Sequence, residues 1–217
     1  MTAHQHDHAH GGDGQPHRHP FQPDLEDQPF ETYQVMAEAV GELLIEKGVL
    51  TADELRRAIE DLDARSPALG ARVVARAWID PAFKARLLED ANAAAGELGI
   101  DVGTIPIRAI ENTPQLHNVI CCTLCSCYPR LLLGVPPDWY KSRAYRSRVV
   151  REPRAVLAEF GTAIPDRVEL RVHDSTADLR YIVLPMRPAG TEQLSEPELA
   201  ALVTRDCMIG TALPQSP

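Results

Sequence analysis

Hydrophobic residues between positions 31 and 99 recur at spacings of three and four, which is typical of amphipathic helices. The first predicted helix ends near Gly48. Its apolar face consists of Met36, Val40, Leu43 and Leu44. Because such a face must be buried against another element, the spacing predicts a set of packed helices in the first half of the chain.

Capping patterns predict where the next helices begin. Thr51 with Glu54 is a capping-box pattern for a second helix, and Pro67 lies near the start of a third. Asp80 followed by Pro81 is typical of an N-cap and a first-turn proline, so a fourth helix follows. The apolar residues of these helices are Leu55, Ile59, Leu62, Val73, Val74, Trp78, Phe83, Leu87 and Leu88.

The pattern changes in the second half of the chain, after a glycine-containing linker at 99–103. Residues 168–172 and 181–184 are short β-type runs, with a turn signal at 174–176 between them. A further capping-box pattern, Ser195 with Glu198, predicts another helix. Helices followed by a mixed section indicate an α+β fold.

The chain therefore divides into three predicted parts. Residues 1–29 are of low complexity and are predicted to be a disordered tail, either a solvated extension or a loose binder of transition metals for metal delivery. Residues 30–99 are the predicted N-terminal helical arm, and residues 100–217 the predicted mixed α/β core domain. The histidines of the tail are His4, His6, His8, His10, His17 and His19.

Composition excludes several classes of protein. A hydrophobic content of 44% permits a globular core, and a net charge of −9 argues against general nucleic-acid binding. No apolar run approaches the roughly 18 residues that span a bilayer. The N-terminus also lacks the basic start and apolar stretch of a secretory signal, so we expect a cytoplasmic protein without membrane contact.

Basic residues are concentrated between positions 136 and 160 of this acidic chain. Two interpretations stay open: a solvated helix face, or a docking surface for an acidic partner. The residues are Lys141, Arg143, Arg146, Arg148, Arg151 and Arg154.

The cysteines give the first strong indication of chemistry. Four of the five lie within positions 121–127, and Cys207 stands far from them. In a reducing compartment, such a cluster favours a metal or redox site over a disulfide framework. The four are Cys121, Cys122, Cys125 and Cys127.

The Cys-x-x-Cys-x-Cys spacing leaves more than one kind of centre open. A structural zinc site or an iron–sulfur cluster would need a fourth ligand, for which Cys207 and His173 are poor candidates. Alternatively, three thiolates combine with two deprotonated backbone amides, those of Ser126 and Cys127. Only a strongly Lewis-acidic trivalent ion, Co(III) or Fe(III), could use such amides, and one of six positions would remain open.

A resemblance favours the last possibility. The stretch Cys122-Thr-Leu-Cys-Ser-Cys127-Tyr-Pro is similar to the metal-binding claw of nitrile hydratase α subunits of the cobalt type. The likeness extends over about residues 33–213. The further blocks are Gly134-Val-Pro-Pro-Asp-Trp-Tyr-Lys141, Tyr145-Arg-Ser-Arg-Val-Val-Arg-Glu-Pro-Arg154, Arg180-Tyr-Ile-Val-Leu-Pro185, Arg187-Pro-Ala-Gly-Thr191 and Leu202-Val-Thr-Arg-Asp-Cys-Met-Ile-Gly210.

The resemblance implies hydration of nitriles to amides at a low-spin, non-corrin Co(III). Cys122 would be the axial ligand, and Cys125 and Cys127 would lie in the equatorial plane with the amide nitrogens of Ser126 and Cys127. Cys125 would become a sulfinic acid and Cys127 a sulfenic acid. The oxygen on Cys127, beside Ser126, would be the catalytic nucleophile or base.

The resemblance also bears on the metal and on neighbouring residues. Thr123 and Tyr128 match the cobalt type, which makes iron the second choice, although flanking residues lean towards iron-type relatives. Glu97 matches a family position near the mouth of the active site, or it is an exposed helix end. Arg180 is either an arginine beside the site or at the subunit interface, or the exposed end of a strand. Cys207 is predicted to be a buried structural thiol.

The chain departs from the family pattern at three places, of which the first two lie next to the metal loop and concern substrate choice more than metal binding. Cys121 replaces a valine, the pair at 130–131 replaces Trp-Pro, and the pair at 193–194 replaces Gly-Trp. The Tyr-Pro-Arg that ends at Arg130 resembles the γ subunit of thiocyanate hydrolase, which converts thiocyanate to carbonyl sulfide and ammonia. The Val-Pro-Pro-Asp-Trp that begins at Val135 favours nitrile hydratase. A metal-storage protein is a further, non-enzymatic hypothesis.

The family resemblance implies an obligate β subunit, in an αβ or α2β2 hetero-oligomer, which covers the claw. Its arginines would hydrogen-bond the oxidised sulfurs, since the guanidinium fork suits anionic oxygens. A metallochaperone or activator is a further expected partner, and a small nitrile is the expected substrate.

Overall fold

The computed structural model describes residues 32–216, apart from the side chain of Gln34. The predicted tail, residues 1–29, lies outside the described residues. Within the described part, helices and strands follow one another in this order: α1 (Thr32–Glu46), α2 (Ala52–Asp63), α3 (Pro67–Ile79), α4 (Pro81–Glu89), α5 (Ala91–Glu97), β1 (Ile107–Glu111), β2 (Leu116–Cys121), α6 (Arg130–Leu133), α7 (Asp138–Lys141), α8 (Arg143–Arg148), α9 (Pro153–Glu159), β3 (Glu169–Asp174), β4 (Arg180–Leu184), α10 (Glu196–Ala201) and α11 (Arg205–Ile209).

The predicted α+β fold is confirmed, and the capping patterns mark real helix starts. Thr51 and Glu54 bond reciprocally as a capping box. The Asp80 carboxylate accepts hydrogen bonds from the N–H groups of Ala82 and Phe83, which otherwise lack partners in a first helical turn. Ser195 begins α10 with a second capping box.

The strands form two parallel pairs, β1 with β4 and β2 with β3. Ile107 lies opposite Arg180 in the first pair, and Leu116 lies opposite Glu169 in the second. The two β-type runs of the sequence are thus strands, but each pairs with a strand from before the cysteine cluster. The turn between them therefore joins two pairs and is not a hairpin.

One hydrophobic core joins these strands to α3, α4 and α5. Its members include Val74 of α3, Phe83 of α4 and Ala94 of α5, together with Val119 and Val183 of the strands. By contrast, the described side chains of α1 and α2 include none that is buried. The predicted boundary at residue 99 stays a prediction, although burial changes earlier, between α2 and α3.

The basic residues between positions 136 and 160 mostly form contacts within the chain. Arg148 forms ion pairs with Glu152 and Glu159, at 2.6 and 2.5 Å. Arg154 donates to the backbone oxygens of Ile164, at 2.6 Å, and Val168, at 2.9 Å. These contacts favour a role in fixing the α8–α9 region.

No helix among the described residues is long and apolar enough to cross a membrane.

Candidate metal centre

The cysteine cluster forms a loop between the end of β2 and the start of α6. The Sγ atom of Cys122 lies 3.5 Å from that of Cys125, which lies 3.2 Å from that of Cys127. All three sulfurs lie within 4.8 Å of one another. Cys122 is buried, Cys127 half-buried and Cys125 exposed, so the sulfurs run from the core to the surface.

Backbone hydrogen bonding holds the loop in a tight turn. The N–H of Cys125 donates to the Cys122 sulfur at 3.2 Å. The N–H groups of Ser126 and Cys127 also interact with the Cys125 sulfur and lower its pKa. The two backbone amides that the family resemblance assigns as ligands thus lie close to the Cys125 sulfur.

The start of the loop is fixed by β3. The Asp174 carboxylate accepts hydrogen bonds from the Thr123 N–H at 2.8 Å and from the Thr123 hydroxyl at 2.5 Å. The N–H of Ser175 donates to the carbonyl oxygen of Cys121 at 2.7 Å. Since Asp174 ends β3, which pairs with β2, the sheet register sets the position of the loop.

Two tyrosines support the loop from beneath. Tyr140 donates its hydroxyl to the carbonyl oxygen of Cys127 at 2.9 Å, and Tyr145 donates to that of Ile120 at 2.7 Å. Both rings are buried in an aromatic cluster, in which the ring centroids of Tyr140 and Tyr128 lie 5.1 Å apart. The chain has few aromatics, and this group, completed by Trp139 and Phe160, is concentrated under the loop.

The thiols differ in acidity. Hydrogen bonds from the sulfurs of Cys127 and Cys122 lower the pKa of the Cys125 thiol. Burial raises the pKa of Cys127 to about 12, while the charge of Arg180 acts in the opposite direction. Three thiolates at this spacing would repel one another, so the three thiols do not readily ionise together. A bound cation would offset this repulsion and allow all three to be thiolates.

The donor set fits a thiophilic ion with three sulfur ligands. Among the described residues, these cysteines are the group of three or more His, Cys, Asp or Glu side chains that could hold a metal ion. Cys207 is fully buried and hydrogen-bonded to Thr204, and His173 bonds to Asn118, so neither completes the cluster. In the part of the chain that the structure describes, no fourth His, Cys, Asp or Glu side chain joins these sulfurs to form a tetrahedral zinc site.

A cavity of about 580 Å³ opens beside Cys125 and Cys127. Its polar and reactive wall contains Cys125, Ser126 and Cys127, with Arg130 and Arg180 beside them. The Nη1 atom of Arg180 is buried without a hydrogen-bond partner. Arg180 is therefore a cation at the site and not merely the exposed end of a strand.

Three other residues that the sequence pointed to lie apart from this cavity. Glu97 forms a two-point ion pair with Arg86, both contacts at 2.8 Å. Cys121 is buried in the core at the end of β2, and burial raises its pKa to about 12. Cys207 is a buried thiol in α11, where burial also raises its pKa.

The sequence did not indicate Asp174, Tyr140 or Tyr145 as parts of the site. They lie 13 to 51 residues from their hydrogen-bond partners, so no local spacing joins them to the cysteines.

Comparison with known proteins agrees with this geometry. A family model described as "Nitrile hydratase, alpha chain" matches residues 31–212. The chain belongs to this family. The match covers the cysteine loop, all four strands and every described helix from α1 to α11.

Individual members of the nitrile hydratase family are similar over most of their length. The chain is 51% identical to the cobalt-containing nitrile hydratase subunit alpha of Pseudonocardia thermophila, covering 79% of this chain and 86% of that protein. It is 44% identical to thiocyanate hydrolase subunit gamma of Thiobacillus thioparus, covering 84% of this chain and 80% of that protein.

Among solved structures, the chain resembles a recombinant thiocyanate hydrolase "comprising partially-modified cobalt centers". The TM-score is 0.79 and the sequence identity is 43%, over 85% of this chain and 91% of that one. The chain is therefore similar both to a nitrile hydratase subunit and to a thiocyanate hydrolase subunit.

Proposed function

We propose that this chain is the α subunit of a cobalt nitrile hydratase, which adds water to a nitrile to give an amide. The observation that carries the proposal is the loop of Cys122, Cys125 and Cys127, whose three sulfurs lie within 4.8 Å of one another and two of which, those of Cys125 and Cys127, belong to residues that line an open cavity. Membership of the nitrile hydratase α-chain family supports the same activity.

The ligands in this proposal come from the loop alone. Cys122, Cys125 and Cys127 supply sulfurs, and Ser126 and Cys127 supply backbone nitrogens. When bound, Co(III) would contribute the Lewis acidity that polarises the nitrile. Thr123 and Tyr128 favour cobalt over Fe(III), and a cobalt-containing relative at 51% identity supports this choice.

Oxidation of the two outer sulfurs is part of the proposal. Cys125 as a sulfinic acid and Cys127 as a sulfenic acid would be weaker donors than thiolates, which keeps the ion acidic. Both sulfurs border the cavity, whereas Cys121, Cys122 and Cys207 are fully buried. Accessibility therefore favours oxidation at Cys125 and Cys127.

The chain's own residues then serve catalysis as follows. Ser126 and Cys127 line the cavity, so an oxygen carried by oxidised Cys127 would act on water as a base or on the nitrile carbon as a nucleophile. The Arg180 cation stabilises negative charge at Cys127. Tyr140 holds the Cys127 backbone through its carbonyl oxygen, which keeps the reactive group in place.

A β subunit is the proposed partner. Leu124 is 88% exposed at the tip of the loop, and Ile105 and Val135 are exposed near the cavity. Met36 and Val40 of α1 are also exposed, so an apolar surface extends along the N-terminal helices. Exposed apolar surface of this extent favours a protein partner, in an αβ or α2β2 assembly.

Two further proposals concern the cell. The clustered free thiols favour a reducing compartment, so we place the protein in the cytoplasm. Loading of a kinetically inert trivalent ion favours a metallochaperone or activator as a second partner.

Thiocyanate hydrolysis is the second candidate, with this chain as the γ subunit. Arg130 follows Pro129 and borders the cavity, where a cation suits an anionic substrate. The similarity to thiocyanate hydrolase subunit gamma supports this candidate.

The deciding experiment is metal analysis and peptide mass on the chain co-expressed with its genomic neighbours in cobalt medium. We expect about one cobalt per chain and about three added oxygens on the Cys122–Cys127 peptide. Zinc, or no metal, with unmodified cysteines would contradict the oxidised centre. Parallel assays with a nitrile and with thiocyanate then separate the two activities.

A further inference from the structure

One wall of the cavity is a short stretch of irregular backbone between α5 and β1. Gly103, Thr104, Ile105 and Ile107 line the cavity, which Cys125, Ser126 and Cys127 also border. Residues 101–106 belong to no helix or strand, so regular backbone pairing does not hold this wall until β1 begins.

A single side chain bonds to both ends of the wall. The Asn92 Nδ2 donates to the backbone oxygens of Gly103 and Ile105, both at 3.1 Å. The Asn92 Oδ1 accepts from the N–H of Ile107 at 2.7 Å. One half-buried amide at the start of α5 thus satisfies three backbone groups across five residues.

The wall also packs directly on the helix that follows the cysteine loop. Gly103 has a φ of +71°, and a Cβ built on it would lie 2.9 Å from the Leu131 Cδ1 of α6. The Asp101 carboxylate accepts from the Gly103 N–H at 2.9 Å. Gly103 is therefore held between the Asn92 side chain on one side and Leu131 on the other.

We propose that Asn92 is a positioning residue that sets the width of the cavity and so selects the size of the substrate. This inference rests on the proposed hydration of nitriles. Since Val102, Ile105 and Leu131 make the facing surfaces apolar, the group selected is the hydrocarbon substituent of the nitrile. The amide of Asn92 touches the wall and not the reacting atoms.

Two variants of the cobalt-loaded holoenzyme test the role of Asn92. Asn92→Ala removes all three hydrogen bonds, and the nearly isosteric Asn92→Asp keeps the acceptor for Ile107 but removes both donors. Gly96→Ala is the matched control on α5, because no atom lies within 4 Å of its added Cβ. The substrates are acetonitrile and benzonitrile.

We expect both Asn92 variants to raise the ratio of kcat/KM for benzonitrile to that for acetonitrile by about tenfold, the lower end of the discrimination that a hydrophobic pocket achieves for a single methylene. Cobalt content and kcat for acetonitrile stay near wild type, while its KM rises. Amide exchange at residues 103–107 becomes roughly tenfold faster, because lost hydrogen bonds permit local opening. Gly96→Ala changes none of these.

The role of Asn92 would be overturned if amide exchange at residues 103–107 did not change in its variants. It would also be overturned if exchange became faster while the ratio of kcat/KM for the two nitriles stayed the same. Loss of cobalt together with an equal fall for both substrates would also overturn it, since Asn92 would then support the metal loop. Absence of nitrile turnover in the wild-type holoenzyme would overturn the proposed activity alone. The exchange rates would still decide whether Asn92 holds the wall.

Discussion

The Asp174 carboxylate bonds to Thr123 twice, at the backbone N–H and at the hydroxyl, across 51 residues of sequence. This pair connects the end of β3 to the first turn of the cysteine loop. Thr123 itself lies on the surface, so the contact restrains a segment that the core does not cover. Loop geometry thus depends on a residue outside the cysteine motif.

Replacing Asp174 with Ala is expected to loosen the metal site. Loss of the two bonds should lower the free energy of unfolding by about 1–3 kcal/mol. Cobalt content and nitrile turnover should fall, as measured by metal analysis and amide formation. The control Asp178→Ala alters an exposed carboxylate in the same connection and should leave both intact. Equal cobalt content in the two variants would contradict this dependence.

Tyr140→Phe separates support of the loop from support of the core. It removes the hydroxyl that bonds the Cys127 oxygen, whereas Tyr145→Phe removes the one that bonds Ile120. Both variants should lose about 1 kcal/mol of stability. Only Tyr140→Phe should shift the visible absorption of the cobalt centre and lower kcat. Identical spectra and kcat in both variants would show that the Cys127 carbonyl bond is not needed for catalysis.

A buried polar network behind the strands predicts a pH dependence of stability. The His117 Nε2 donates to the Gly210 carbonyl oxygen at 2.7 Å, so its Nδ1 accepts from the Asn112 side-chain amide at 3.2 Å. Both ring nitrogens are thus occupied in the neutral form. Burial lowers the pKa of His117, and burial also lowers that of His173 in the same network.

The direction of the effect follows from proton binding. Below about pH 6.5 the His117 imidazole is protonated in the unfolded chain but stays neutral in the folded chain. The contribution of His117 to stability is therefore fully present above that pH. It is lost as pH falls through the folded pKa, by at most about 1.4 kcal/mol per pH unit for each histidine. The free energy of unfolding, measured by urea titration at several pH values between 7.5 and 5, should fall less steeply with decreasing pH for His117→Gln than for wild type. Parallel slopes would remove His117 from the pH dependence.

The isolated chain is expected to be inactive. Its cavity and exposed Leu124 require cover that the described residues do not provide. Addition of the β subunit should restore turnover, and Cys127→Ser in the restored complex should abolish it. Full turnover by the purified single chain would refute the need for a partner, and retained turnover by Cys127→Ser would exclude that sulfur from the mechanism.

The cysteine cluster could be recognised from sequence because its three sulfurs lie within six residues. Strands β1 and β2 could not be recognised, and the reason is physical. His117 and Asn118 of β2 are 4% and 2% exposed, so polar side chains occupy buried positions and hide the alternation of a strand. Their burial is compensated by bonds to Asn112 and Glu111, which lie on the preceding turn and strand, and to Gly210, which only the folded chain brings near.

The helical half was more predictable because its signals are local. Asp80 and Pro81 mark a helix start within two residues, and the structure confirms it. Which of these helices pack on the strands could not be predicted from local sequence signals. The sequence grouped α1 to α5 as one arm, whereas burial separates α1 and α2 from the helices that pack on the strands. That difference depends on tertiary contacts, which helix periodicity does not report.

The pairing of β2 with β3 has a consequence for the order of events during synthesis. Every contact between these strands spans more than 50 residues, and the β1–β4 contacts span more still. Such long-range pairing closes slowly and only after the later strands have left the ribosome. A nascent chain that ends before Asp174 already contains every cysteine of the loop but not its anchor. We therefore expect the cysteine loop to reach its final geometry only in the completed chain.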